Sequence, residues 1–573
     1  MKYSTKKIYL IFLLIVVLLT DTVAFSKNTE FEFSKDDISN YFSGIVLLNQ
    51  NNTTAGFKYL NKVQSLKNIH SNFNVQFIRS LVLLEKFDEA FAFSKSIWNE
   101  EDFFFEADLL LGLESFIKKD YLNAERHFMR INKISKYNLL FDDFLGNVLI
   151  SWVRALTSNK EDAFKFVDEI PNHYENLKKI QNVFLQCYFD SDSTQTESAF
   201  GQLIENEEFS SRYSFFLANY LIQKDKYAAA EKIIKNSRKK YNSNLLIKQS
   251  ENFMFNKNTE KIKNLFNCKF PKDPMAEIFY VISNLYSSNK DFQLSNFYLK
   301  ISLFLNKKFK PNMVLLAENF FNQNKYELSK KTYNSIRSVG SVYSWHASIN
   351  LANILENTAG KEKAISTLIK EFNELSNANF EHFYDMANFF KNKDHYKESI
   401  KYYSLALENI EQNHFLVPKI LDKRGACYER LGEWDKAEKD LLKSLSISPE
   451  QPYVLNYLAY SWIEKEKNIK QSIEMLKKAN KLRKNDGYII DSLGWAYYQG
   501  KNYTDAEKYL QRAVEILPLD PIINDHYADT LWMLKKDIQA RYFWKHVLSL
   551  NTIEQELKDK VNKKIIFGIN KEL

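Results

Sequence analysis

Residues that could support catalysis are present in this chain, but none stands in the spacing that catalysis requires. Gly360-Lys361 and Gly500-Lys501 resemble the end of a phosphate-binding loop, yet both lack the upstream glycine and the preceding strand of such a loop. His382 and His395 are too far apart in sequence to share a helix face by short helical spacing, and no His-Glu-x-x-His or Gly-x-Ser-x-Gly motif occurs. We therefore predict that the protein is not an enzyme and has no cofactor and no metal site.

Aromatic, amide and acidic side chains near the C-terminus form a more specific pattern. They recur at fixed offsets around a set of small residues, mainly six and three positions before and one and four positions after each. Aromatic rings on a rigid surface provide large contact area at low entropic cost, amides bond to peptide backbones, and aspartates favour basic groups. The predicted partner-binding residues are Tyr453, Asn456, Tyr460, Tyr488, Asp491, Trp495, Tyr498, Asp525, Asp529 and Trp532.

The small residues themselves indicate which elements position this surface. Gly425, Ala459, Gly494 and Ala528 stand 34, 35 and 34 positions apart, and another small residue follows each after twelve or thirteen positions. Such spacing is typical of a repeated pair of antiparallel helices, because the two backbones can approach closely where side chains are smallest. The predicted packing residues are Gly425, Ala437, Ala459, Gly494, Ala506, Ala528 and Ala540.

The same register continues upstream, to a small residue at Gly44, and gives fifteen units between about Ser39 and Leu550. It predicts an all-α, right-handed superhelical solenoid, whose first helices line a concave face. A Lys-rich amphipathic tail is expected to cap the last unit, with a membrane-surface helix as the alternative. The predicted divisions are a signal peptide at 1–24, N-terminal repeats at 39–136, irregular repeats at 137–272, central repeats at 273–408, regular C-terminal repeats at 419–550 and a capping helix at 554–573.

The N-terminus resembles a secretory signal. Lys2, Lys6 and Lys7 precede an apolar run over residues 8–19, and small residues follow in Thr22-Val23-Ala24. We expect an exported, periplasmic protein, and an uncleaved membrane anchor is the alternative. A net charge of +8 over 573 residues, with lysines and glutamates interspersed, indicates solvated helix faces and no nucleic-acid stripe.

Three cysteines, Cys187, Cys268 and Cys427, fall in different repeats. A disulfide requires Cα atoms within about 7 Å, which separate stacked units do not normally offer. We therefore predict that all three cysteines are unpaired, buried side chains.

The C-terminal units resemble the tetratricopeptide repeat (TPR) family. The best unit reads Leu493-Gly494-x-x-Tyr497, followed by Ala506, Leu510, Ala513 and Pro518. Blocks such as Asn456-Tyr-Leu-Ala-Tyr460 are similar to the C-terminal part of long proteobacterial cell-envelope TPR proteins, which include lipoprotein adaptors of carboxy-terminal processing proteases. The resemblance implies an envelope scaffold or adaptor, although no cysteine follows the apolar run for a lipid anchor.

Together these patterns predict a scaffold that binds a peptide segment or a partner protein in its concave groove. The resemblance implies an envelope protease or assembly machinery as the partner; a membrane contact is expected only through an uncleaved anchor. Two alternatives remain open at this point. One is a component of glycan or polymer export whose aromatic stripe binds polysaccharide, and the other is a purely structural assembly subunit.

Overall fold

Helices are the element that this composition favours, because 13 Gly and 9 Pro leave little turn material among 573 residues. A computed structural model describes residues 34–135, 143–158, 160–190, 192–205, 210–240 and 243–569. In these residues the chain is all-α, with no strand. The predicted signal segment at 1–24 lies outside the described ranges.

The chain divides into two compact units, at Leu351 and Ala352. The boundary falls within the block predicted as central repeats, 273–408. The helices up to this boundary are α1 (Lys35–Asn49), α2 (Thr53–Leu60), α3 (Ser71–Leu83), α4 (Phe87–Ile97), α5 (Phe105–Ile117), α6 (Tyr121–Ser135), α7 (Phe144–Thr157), α8 (Lys160–Asp168), α9 (Glu175–Phe189), α10 (Ser193–Glu205), α11 (Ser210–Gln223), α12 (Tyr227–Lys240), α13 (Leu245–Phe255), α14 (Glu260–Lys263), α15 (Lys272–Ser288), α16 (Phe292–Leu305), α17 (Met313–Asn322), α18 (Tyr326–Ile336) and α19 (Ser341–Ala359), which contains it.

The second unit continues the same alternation of first and second helices. Its helices are α20 (Lys361–Asn373), α21 (Phe380–Lys391), α22 (Tyr396–Glu408), α23 (Val417–Arg430), α24 (Trp434–Ile447), α25 (Pro452–Glu464), α26 (Ile469–Leu482), α27 (Gly487–Gln499), α28 (Tyr503–Ile516), α29 (Pro521–Met533), α30 (Asp537–Ser549) and α31 (Gln555–Phe567). Within the described residues the helices thus form fifteen successive pairs followed by a single helix, which is the all-α array that the spacing predicts.

Paired helices approach most closely where small residues meet. At Gly494, an added Cβ would lie 2.6 Å from Cγ of Leu510 and 3.1 Å from its backbone nitrogen, so α27 and α28 approach too closely for any side chain. Gly44 and Gly56 face each other in the first pair, each with the other's carbonyl oxygen within 3.3 Å of an added Cβ. The twelve-residue offset is therefore a direct backbone contact between paired helices.

Serine at the second position adds a hydrogen bond to the same contact. The hydroxyls of Ser329 and Ser399 each donate to the carbonyl oxygen twelve residues earlier, on Ala317 and Ala387, at 2.8 Å. These serines are completely buried, so the bond satisfies a hydroxyl that would otherwise be costly to desolvate. Small size and local satisfaction explain why serine can replace alanine at this position.

The two sequence fragments that resemble a phosphate loop are turns between paired helices. Gly500 ends α27, and Lys501 adopts a left-handed conformation, with φ of 60°. The next backbone N–H, on Asn502, then donates to the carbonyl oxygen of Tyr497 at 2.9 Å, which closes the helix end. Gly360 also has positive φ, at 90°, directly before α20.

The first unit closes upon itself. The ring of Phe304 in α16 stacks on Phe87 of α4 with centroids 4.0 Å apart. The side-chain amide of Gln293 donates to the carbonyl oxygen of Leu48 at 2.6 Å, and Lys300 pairs with Glu85. One hydrophobic core runs from Leu48 to Phe309. The early repeats are therefore stabilised by contacts between residues more than 200 positions apart in sequence, in addition to contacts between neighbouring repeats.

The prediction that all three cysteines are unpaired is wrong. Cys187 and Cys268 form a disulfide, with Cα atoms 5.9 Å apart, while Cys427 is free and buried. The reason is the short second helix α14, only four residues long, which lets the following segment fold back towards α9. There Phe266 packs against Phe184 with centroids 5.2 Å apart, next to the disulfide. Regular stacking of the repeats would place these two cysteines farther apart than they are.

The helix contact at Gly494 predicts a position-specific cost of adding one methyl group. Gly494→Ala should destabilise α27 by about 1–3 kcal/mol, because Leu510 and its backbone must move. Gly201→Ala is the control, since Gly201 lies in α10 with nothing within 4 Å of an added Cβ, and should stabilise its helix by up to about 1 kcal/mol. Hydrogen exchange of each helix measures both effects. Equal changes at the two sites would contradict the close contact.

The disulfide predicts the result of thiol counting. Alkylation of the unfolded, unreduced protein should modify one cysteine, Cys427, and alkylation after reduction should modify three. Peptide mapping should recover Cys187 and Cys268 in one linked fragment. Cys187→Ser should lower the stability of the first unit by about 2–4 kcal/mol, because an 81-residue loop is no longer closed in the unfolded chain. Three free thiols before reduction would contradict the bridge.

Candidate functional site

The predicted partner-binding residues lie on the first helices of the last three pairs, α25, α27 and α29. These first helices also contact one another between neighbouring pairs. The packing residues that orient them are all buried, and they are Gly425, Ala437, Ala459, Gly494, Ala506, Ala528 and Ala540. With these residues fixed at each crossing, the remaining side chains of each first helix have a fixed direction.

The three aspartates of the predicted surface are already occupied by basic groups of the chain itself. Asp491 accepts from Nδ1 of His526 at 3.0 Å. Nζ of Lys564, on the final helix α31, lies 2.7 Å from both Asp525 and Asp529. All three aspartates are buried. They therefore join neighbouring helices and are not open carboxylates for a partner.

Burial and the neighbouring carboxylates act in opposite directions on the pKa values of His526 and Lys564. Burial lowers the pKa of His526, but the carboxylates of Asp491, Asp525 and Asp529 outweigh it and raise the pKa. Burial likewise lowers the pKa of Lys564, and Asp529 and Asp525 more than compensate, so that it is raised. Burial and the charge of Asp525 raise the pKa of Asp529 to about 7. The cluster thus favours protonated, cationic His526 and Lys564 as internal counter-ions.

Trp495 is the centre of a three-ring stack. Its indole lies nearly parallel to Tyr498 of the same helix, with centroids 4.5 Å apart, and to His526 of the next pair, with centroids 4.0 Å apart. The indole N–H donates to Glu464 at 2.8 Å. The structure therefore brings Trp495 and Tyr498 together as packing between adjacent pairs, and both side chains are half-buried.

Trp532 lies under the end of the array. It contacts the indole of Trp544 with centroids 5.5 Å apart and the guanidinium of Arg541 at 4.8 Å from its ring. An added Cβ on Gly568 would collide with the Trp532 ring, so the chain after α31 passes directly over it. Trp532 is therefore part of the capping contact and is half-buried by it.

Tyr460 and Asn456, on α25, are half-buried. Burial raises the pKa of the Tyr460 phenol, which stays neutral in the physiological range. The side-chain oxygen of Asn456 is buried without a hydrogen-bond partner. This oxygen is an acceptor that remains unused on the predicted binding helix.

Two predicted residues, Tyr453 and Tyr488, do remain open, with 56 % and 60 % of their surfaces exposed. Both stand six positions before the small residue of their helix. Ile522, which is not among the predicted binding residues, stands at the same offset in α29 and is 52 % exposed. The repeat register itself could have identified it. Tyr453, Tyr488 and Ile522, here named the apolar ladder, are thus three equivalent exposed side chains on successive helices.

A cavity of about 760 Å³ adjoins the last two members of this ladder. It lies between the start of α27, the turn before α29 and the start of α31. Its lining residues are Tyr488, Ile516, Leu517, Pro518, Leu519, Asp520, Pro521, Ile522, Thr552, Glu554, Glu556, Leu557 and Lys560. The volume is within the range of small-ligand and side-chain binding pockets.

Two further properties bear on the chemistry of the described residues. In them, no group of three His, Cys, Asp or Glu side chains is arranged to hold a metal ion. No helix within the described ranges has the length and apolar character needed to cross a bilayer.

Comparison with known proteins supports the repeat class. Residues 488–517 match the family model for the tetratricopeptide repeat. A TPR repeat-containing protein of Pseudomonas aeruginosa is 31 % identical over 99 residues, which is 17 % of this chain and 17 % of that protein. The match thus spans less than a fifth of the relative's length.

Solved structures with similar helix arrays were also found. A tetratricopeptide repeat protein from Parabacteroides merdae is 19 % identical and covers 39 % of this chain and 88 % of its own, with a TM-score of 0.34. The APC/C hetero-tetramer Cut9–Hcn1 is 14 % identical, covering 92 % of this chain and 90 % of its own, also with a TM-score of 0.34.

The ionic cluster predicts that Lys564 fastens the final helix. Lys564→Met should destabilise α31 by about 2–3 kcal/mol, because two buried carboxylates lose their counter-ion. Lys560→Met, on the same helix, is the control: its pair with Glu556 is exposed, and its removal should cost less than about 1 kcal/mol. Hydrogen exchange of α31 compares the two variants. Similar losses of protection would refute the anchoring role of Lys564.

Proposed function

We propose that this chain is a non-enzymatic scaffold or adaptor that binds an extended protein segment along the concave side of its C-terminal repeats. Arrays of helix pairs present long, rigid, curved surfaces that suit protein partners. The observation that carries the proposal is the apolar ladder. Single exposed apolar side chains are ordinary, but these three expose more than half of their surface at one register on successive helices, which favours a contact surface.

The geometry around the ladder favours a bound segment over a bound small molecule. Tyr453, Tyr488 and Ile522 lie on three successive first helices, so their surfaces are distributed along the array. Two of them start a capped helix: Asp486 caps α27 by accepting from the backbone N–H of Tyr488 at 3.1 Å, and Asp520 does the same for Ile522 at 3.0 Å. Little conformational entropy remains to be lost at these positions on binding.

We further propose that the protein works in the bacterial cell envelope. The sequence pattern of residues 1–24 supports export. After export the segment is either cleaved or retained as a membrane anchor. The disulfide between Cys187 and Cys268 supports an oxidising compartment, because such bridges are rare in reducing cytoplasm. N-terminal sequencing of protein from fractionated cells tests this part. A start near residue 25 in a periplasmic fraction supports it, and an intact, cytoplasmic chain refutes it.

A crosslinking capture experiment with the full chain tests the binding surface. Tyr453→Ala combined with Tyr488→Ala should reduce recovery of crosslinked partner protein at least tenfold, since buried aromatic anchors each contribute more than about 1 kcal/mol. Tyr542→Ala is the control, because Tyr542 is 69 % exposed but lies on the second helix α30. Thermal unfolding verifies that each variant is folded. Unchanged recovery with the double variant, or recovery of bound polysaccharide in place of protein, would contradict the proposal.

A further inference from the structure

The cavity beside the apolar ladder is rigid before any ligand arrives. Pro518 and Pro521 restrict the backbone on either side of Leu519, whose side chain is 69 % exposed at the cavity edge. The side chain of Asp520 accepts from the backbone N–H groups of Ile522 and Ile523 at 3.0 and 3.1 Å. On the opposite side, Leu557 belongs to α31, which packs on the preceding pair. The walls therefore keep their apolar surface exposed.

The charged groups at the cavity are unbalanced towards negative. Asp520, Glu554 and Glu556 line it, and Lys560 is the one cation among its lining residues. Lys560 pairs with Glu556 at 2.7 Å, so Asp520 and Glu554 are left without an ion-pair partner within the described residues. The chain as a whole carries a formal charge of +8. The cavity is therefore a locally negative site on a chain whose net charge is slightly positive.

We infer that this cavity receives a bulky apolar side chain of an extended partner segment whose neighbouring residues are lysine or arginine. The inference rests on the proposed function and specifies the partner's chemistry. The apolar floor of Tyr488, Leu519 and Ile522 takes the apolar side chain. Asp520 and Glu554, which line the cavity, attract the flanking cations.

The repeat spacing also sets the spacing of the partner's apolar residues. Neighbouring first helices are in contact, so their axes are separated by about 8–10 Å. A segment in the polyproline II conformation advances about 3.1 Å per residue with three residues per turn, so every third side chain lies on the same face. Apolar side chains three residues apart therefore match successive members of the ladder, with basic residues between them.

A second copy of the chain fits this surface less well. In a two-fold contact the same patch meets itself, so Asp520 and Glu554 of one copy would face the same carboxylates of the other. Like charges brought together at an interface disfavour the complex. An acidic segment is disfavoured for the same reason.

Defined peptides test the inference with the full chain. The probe is a fluorescein-labelled peptide of about nine residues, enough to span three helices at about 3.1 Å per residue, with leucine at every third position and lysine between. Two comparison peptides replace the lysines by glutamate or the leucines by serine. We expect fluorescence anisotropy to show that the leucine–lysine peptide binds at least tenfold more tightly than either. Equal affinities, or preference for the glutamate peptide, would overturn the inference.

Two exposed variants locate the effect. Glu554→Gln should reduce the preference for lysine over glutamate at least threefold, and Leu519→Ser should weaken the leucine–lysine peptide at least threefold. Glu515→Gln is the control, because Glu515 is exposed on the second helix α28 and paired with Arg512. A preference that survives the cavity variants contradicts the inference.

The outcomes separate this inference from the proposed function. If the Tyr453 and Tyr488 variants abolish partner capture while peptide charge has no effect, the charge inference fails and the scaffold proposal stands. If neither peptide binding nor capture depends on Tyr453 or Tyr488, both fail. Concentration-dependent dimerisation that Ile522→Ser abolishes would assign the surface to a second copy and overturn the inference.

Discussion

The close approach of two helix backbones at paired small residues is the constraint on which this structure depends. At Gly494 there is no room for a methyl group, and at Ser399 a buried hydroxyl bonds directly to the facing backbone. Because the contact fixes both the depth and the rotation of each pair, every other position on the first helix acquires a defined environment. The position three before the small residue points to the next pair, whereas the position six before it remains at the open edge.

The C-terminal end of the array is stabilised by the same type of contact that joins the pairs in its interior. In the interior, Asp491 of one pair binds His526 of the next. At the C-terminal end no further pair follows within the described residues, and Lys564 of α31 takes the corresponding place on Asp525 and Asp529. The final helix thus substitutes for the first helix of a missing repeat. It also forms one wall of the cavity, so capping and recognition share one element.

The sequence was sufficient to predict the helix pairs, because their signal is local: small residues twelve positions apart. It could not predict which members of the stripe are open, since this depends on partners from other pairs. Asp491 is satisfied by a residue 35 positions away and Asp525 by one 39 positions away. The disulfide was missed because a four-residue helix, α14, interrupts the regular stacking between Cys187 and Cys268. Ile522 is not among the predicted binding residues, which are aromatic, amide and acidic, although the repeat register places it at the same offset as Tyr453 and Tyr488.

Site-specific photo-crosslinking tests most directly whether partner recognition uses the exposed ladder. In that case the buried aspartates and the rings beside them serve only the packing between helices. A photoreactive phenylalanine analogue can replace Tyr453, Tyr488 or Ile522, and in separate variants Tyr498 or Trp532, in the full chain. We expect partner crosslinks from Tyr453, Tyr488 and Ile522. We expect none from Tyr498 or Trp532. Crosslinks from Tyr498 and Trp532, with none from the ladder, would contradict this expectation.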